Sequence, residues 1–141
     1  MRKPFLRLGG LMALIAVALG AFGSHSLKNA IDPSSLNTFE IGVRYQFYHA
    51  FALLAVGLLL YWRKNNLLIT AGWLFFAGIL LFSGSLYLLS MSELFSLDAA
   101  LLGPVTPVGG VAFMAGWICF VIATFQKNEK SYRRNSKTDS E

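Results

Sequence analysis

EIGVRYQFYHA, residues 40–50, runs without a break into the apolar FALLAVGLLLY of residues 51–61. The junction decides the fold, because Arg44, Tyr45, Gln46, Tyr48 and His49 carry polar chemistry to the edge of a stretch long enough, with its flanks, to cross a bilayer. On a helix Tyr45 and His49 share a face, and Glu40 stands one turn before Arg44 with the spacing of a salt bridge. Ionisable groups at this depth are costly unless paired, hydrated or snorkelling. Glu40, Arg44, Tyr45, Gln46 and His49, met by Ser83, Ser85 and Tyr87 from a later segment, therefore form the candidate polar cluster. The structural reading makes Arg44 and the tyrosines interfacial anchors and bonds His49 to a neighbouring helix. The alternative reading is ligand binding or proton handling. Burial of His49 alone does not argue for proton transfer, since an imidazole with an ordinary pKa near about 6.5 is neutral at modest cost.

Outward from this junction the same pattern repeats. The chain is 55% hydrophobic and only 13% charged, with a mean hydropathy of +0.56. A soluble domain of this size would carry about twice that charged fraction. The apolar residues gather into four runs near the length of about 20 that a helix needs to cross hydrocarbon. Arg2, Lys3 and Arg7 precede the first, Leu8 to Gly23. Ala21 and Gly23 have the spacing of a signal-peptidase site, but a retained helix is expected. Removing it would leave three helices and put the remaining basic clusters on opposite sides of the membrane.

Asp32 followed by Pro33 reads as an N-cap and first helical residue, so an interfacial turn or two should merge into the second span. Leu36, Phe39, Val43 and Phe47 give that segment an apolar face. His25 reads as an exposed interfacial residue or a partner for the polar start of the second helix. Tyr61 and Trp62, then Arg63 and Lys64, form an aromatic belt and a basic turn. The third span is expected over Leu67 to Leu89, with its serines returned to the backbone or bonded to a neighbouring helix. The loop of residues 90–102 carries Glu93 and Asp98 and no basic residue. Thr106 and Pro107 repeat the cap signal, placing the fourth span from near Pro107 to Phe125. Along it Gly109, Ala112 and Gly116 make a small-residue face suited to close helix packing. Cys119, the single cysteine, permits no intrachain disulfide and reads as a small buried hydrophobe.

Ten basic residues fall on the side of the amino terminus, the Arg63 turn and the tail, against Lys28 and Arg44 on the other. The positive-inside rule then sets both termini in the cytoplasm. The expected fold class is an all-α, polytopic transmembrane four-helix bundle. Residues 1–125 make the transmembrane domain and residues 126–141 a basic cytoplasmic tail. The net charge of +5 sits beside apolar segments, which favours anionic lipid headgroups over nucleic acid as a partner.

Four blocks carry a resemblance as well: GAFGSHSL at 20–27, YQFYHA at 45–50, FSGSLYLL at 82–89 and LLGPVTPVGGVAFMAGW at 101–117. They resemble the signature blocks of a small bacterial inner-membrane family known as domain of unknown function 423, over nearly the whole chain. Ser24 before His25 departs from the alanine more usual there. The resemblance implies a four-helix protein of the bacterial inner (cell) membrane without an assigned activity, and it supplies no catalytic residue. The leading functional expectation is a structural or assembly component, associating with itself or another membrane protein through small-residue helix faces. The second is an oligomeric small-solute or proton-coupled carrier using the polar cluster. An enzyme is not expected, nor is a cofactor or metal, since two distant histidines and one interfacial carboxylate make no ligand set.

Overall fold

Backbone amides and carbonyls find no partner in hydrocarbon, so apolar runs of this length satisfy themselves as helices. The computed structural model describes residues 2–126. Within them four helices are long and apolar enough to cross a membrane. The first is α1 (Arg2–His25), followed by a 3₁₀ turn (Leu27–Asn29) and then α2 (Pro33–Trp62). The third span is composite: α3 (Asn66–Gly78), a π-helical turn (Ile79–Ser83) and α4 (Gly84–Ser90). Two short helices, α5 (Ser92–Phe95) and α6 (Ala99–Leu102), lead to the fourth span, α7 (Val105–Phe125). Among the described residues there is no strand. Of the basic tail, residues 126–141, all but Gln126 lie outside them.

The caps explain where the helices start. Asp32 Oδ1 accepts hydrogen bonds from the backbone amides of Ser34 at 2.8 Å and Ser35 at 3.1 Å, with Pro33 in the first turn. Hydrogen bonding, first from the Ser35 hydroxyl and then from these amides, holds the Asp32 carboxyl below its ordinary pKa of 3.8. Asn65 does the same for α3 through Leu67 and Leu68, at 2.8 and 3.3 Å. Two boundaries differ from expectation. α1 begins at Arg2 rather than Leu8, because a helix can continue beyond the hydrocarbon while its basic side chains reach water. α7 begins at Val105 rather than near Pro107, without a side-chain cap. The Thr106 hydroxyl is engaged by Ser85 at 2.6 Å instead, and Pro107 still falls in the first turn, where a missing N–H costs nothing.

α1 lies along α2 and α3 along α7, while α2 and the third span join the two pairs. Packing in lipid gains from close contact rather than from water release. Gly9 shows how close the helices come: a Cβ there would lie 2.9 Å from the Ala50 carbonyl oxygen. The core between α2 and α3 includes Leu53, Val56, Leu68 and Phe75, all fully buried. Phe5 reaches it from α1, edge-on to Trp73 at 5.4 Å. At the end of the bundle where α1 begins, Arg63 Nη1 donates to the Gln126 carbonyl at 3.2 Å. Asn65 Nδ2 donates to Gln126 Oε1 at 2.9 Å, so the turn between the second and third spans is tied to the end of α7. At the opposite end Leu94, Phe95, Leu97 and Leu101 are exposed around the left-handed residue Ser96.

Candidate functional site

The polar residues singled out along the sequence do not converge on one spot. The fold divides them into four groups, each set by the rotation of its helix.

Gln46 faces inward from α2 and is nearly fully buried. Its Nε2 donates to the Met12 carbonyl of α1 at 2.9 Å, and its Oε1 accepts from the Tyr87 hydroxyl at 2.8 Å. One amide therefore fastens three spans, using a donor and an acceptor that would each be costly if left bare in a bundle interior.

His49, one helical turn further along, meets α7 instead. Its ring stacks on Phe113 of α7, centroids 3.4 Å apart and planes 10° from parallel, with Tyr45 stacked beyond it at 6.2 Å. Nδ1 lies 2.8 Å from the Tyr45 carbonyl and Nε2 accepts from Trp117 Nε1 at 3.2 Å. A carbonyl only accepts and an indole N–H only donates. The two partners together therefore fit one form of the ring, neutral and with its proton on Nδ1. An imidazolium would turn a second N–H toward the indole donor.

The serines form the third group. Ser85 Oγ donates to the Phe82 carbonyl at 2.9 Å and so receives its 2.6 Å bond from the Thr106 hydroxyl. Ser83, at the end of the π-helical turn, is wholly buried, and its hydroxyl has no partner among the described residues. Neither serine meets His49 or Gln46 through a hydrogen bond, so the expected union of Ser83 and Ser85 with the α2 cluster is replaced by separate contacts.

Glu40 and Arg44 make the fourth group, at an exposed groove between α1 and α2. The salt bridge their spacing suggested is absent among the described residues. Arg44 Nε instead reaches the Glu40 backbone carbonyl at 3.4 Å, because a side chain turned back along its own helix passes that carbonyl first. His25 is exposed at the end of α1.

The small-residue face of α7 lies against the third span. A Cβ on Gly109 would fall 2.7 Å from Phe82 Cα, and one on Gly116 would fall 2.8 Å from the Phe75 ring; Ala112 between them is half-buried. Trp117 is the residue that local spacing missed as part of the site. The available signal was chemical: an indole N–H in an otherwise apolar helix needs an acceptor, and His49 supplies one. Among the described residues no three of His, Cys, Asp and Glu come together to hold a metal.

Four apolar helices fastened to one another by buried polar contacts define a small multi-pass membrane protein. The chain belongs to the family described as Protein of unknown function (DUF423), whose profile matches residues 19–110. It is 47% identical over 122 residues to the UPF0382 membrane protein YwdK of Bacillus subtilis, covering 86% of this chain and 95% of that one. The UPF0382 membrane protein SAB0533 of Staphylococcus aureus is 45% identical over 124 residues, 88% of this chain and 97% of its own. SSP2132 of Staphylococcus saprophyticus, also a UPF0382 membrane protein, is 42% identical over 124 residues, 88% and 98% of the two chains. No solved structure matches the chain. The relatives are bacterial membrane proteins by name, in agreement with the four spans.

Proposed function

We propose that the protein is a non-catalytic assembly component of the bacterial cell membrane, a bundle that joins a second copy of itself. The observation that carries this reading is the commitment of the buried side chains Gln46 and His49 to partners within the bundle. Gln46 uses both ends of its side chain on neighbouring spans, and His49 uses one ring nitrogen on the Tyr45 carbonyl of its own helix and the other on α7. A carrier would need such groups turned toward a solute path, and their dispersal into four places speaks against one.

What remains open to a partner is the outside of α1 and α7, the more exposed of the four spans. On α7 the small residues Gly109 and Gly116 are already occupied by the third span. On α1, Gly10 has nothing within 4 Å of its would-be Cβ. Leu14 and Val17 beside it are exposed at 66% and 61%, so this face can admit another helix closely. We propose likewise that both termini lie in the cytoplasm, on the distribution of basic residues, and that those residues meet anionic lipid headgroups there.

Single cysteines in a Cys119→Ser background test both statements. Oxidation of Leu14→Cys in native membranes should give a disulfide-linked species of doubled mass. Ser96→Cys should react with an impermeant thiol reagent added outside intact cells. Absence of any cross-link at Leu14 and Gly10, together with a monomeric mass in lipid nanodiscs, overturns the assembly reading. Protection of Ser96→Cys in intact cells with labelling after lysis reverses the orientation.

A further inference from the structure

Glu40 and Arg44 are charged side chains that the buried polar contacts leave unused. Their depth follows from the length of α2, whose 30 residues extend about 45 Å against about 30 Å of hydrocarbon. Tyr61 and Trp62 mark one interface. About twenty residues of helix then cross the hydrocarbon, which puts its other boundary near Gly42. Glu40 and Arg44 straddle that boundary, and the surplus helix back to Pro33 runs through the headgroup layer.

At this level a groove of about 210 Å³ opens beside the α1–α2 contact, lined among others by Gly20, Gly23, Phe39, Glu40, Val43 and Arg44. The small residues of α1 let α2 approach closely along the groove's floor: a Cβ on Gly23 would sit 3.1 Å from the Phe39 ring. Among the described residues Arg44 makes one side-chain hydrogen bond, the long 3.4 Å bond from Nε to the Glu40 carbonyl, and its terminal nitrogens have no partner there. Neither side chain forms an ion pair among the described residues. A cation and an anion one turn apart, unpaired with each other, thus both border one groove at headgroup depth.

We propose that this groove binds the headgroup of an aminophospholipid, with Arg44 on the phosphate and Glu40 on the primary ammonium. The guanidinium fork matches two phosphate oxygens. A carboxylate accepts N–H bonds from a primary ammonium, which a quaternary ammonium cannot donate. An uncharged glycerol head leaves Glu40 without its cation. The half-buried Val43, on the hydrocarbon side of Gly42, suits the glycerol and the upper acyl chains, and the headgroup chemistry sets the order of preference as phosphatidylethanolamine before phosphatidylcholine and phosphatidylglycerol.

The purified full-length protein in detergent, given equal amounts of these three lipids, should retain phosphatidylethanolamine preferentially by native mass spectrometry. Arg44→Gln should lower that retention about tenfold, the loss of one charge-assisted contact. Arg44→Lys, which keeps the charge and loses the fork, should fall between. Glu40→Gln should bring phosphatidylethanolamine down to the level of phosphatidylcholine. Both positions are exposed, and unchanged thermal unfolding of the variants separates a lost site from a lost fold. Equal retention of the three lipids by the parent, or a preference that survives both Gln substitutions, overturns the proposal. Displacement of the lipid by soluble phosphoethanolamine at equal concentration overturns the lipid as occupant.

Discussion

Gly109→Ala should destabilise the bundle by about 1–3 kcal/mol, although alanine is the better helix former. The added methyl would fall against the backbone of Phe82, 2.7 Å from its Cα. A backbone cannot turn aside as a side-chain tip can, so α7 must move away from the π-helical turn. That movement strains two further contacts of α7, the Ser85–Thr106 hydroxyl pair with the third span at 2.6 Å and the stacking of Phe113 on His49 of α2. Gly84→Ala is the matched control. Nothing lies within 4 Å of its would-be Cβ, and its backbone is helical at φ −59°, ψ −44°. It should gain up to about 1 kcal/mol from helix propensity alone. Unfolding of both variants in mild detergent, followed by circular dichroism, compares them directly. A Gly109→Ala protein as stable as the Gly84→Ala protein would mean that α7 and the third span are not in backbone contact.

These contacts also mark how far the sequence could be read. The spans were legible because bilayer thickness sets a run length that any single stretch either has or lacks. Asp32 was legible as a cap because its partners, Ser34 and Ser35, lie within three residues. The same local logic failed at Thr106, where a hydroxyl from another span competed for the side chain. It failed again for Glu40 and Arg44, whose helical spacing permits an ion pair but does not compel one at an exposed site, where the gain is small. The π-helical turn between Gly78 and Gly84 leaves no distinctive trace in apolar periodicity. The partners of Gln46 and His49 on other spans lie 34 to 68 residues away. Which of them meet depends on the rotation and register of whole helices, and spacing within one helix carries no information on either.

Trp117→Phe should cost about 1–3 kcal/mol, because it keeps an aromatic ring against Phe75 while stripping the donor from a buried imidazole nitrogen. The effect belongs to the pair, so it is best read as a cycle with His49→Phe. Polar pairs between membrane helices couple by roughly 0.6 kcal/mol on average and by up to about 1.7. The upper part of that range is expected here, since the bond joins two spans already stacked through Phe113. His49→Gln sharpens the test. A glutamine can accept from the indole, and it cannot titrate. If the histidine is a fastening between α2 and α7, His49→Gln should recover much of the stability lost in His49→Phe and should leave assembly intact. Proton handling requires the opposite result, a Gln variant that is stable and assembled yet has lost a pH-dependent transport seen in the parent. A coupling near zero would show that the 3.2 Å approach of Trp117 to His49 is proximity alone. The buried polar groups of α2 would then regain freedom for a ligand, and the assembly reading would lose the observation that carries it.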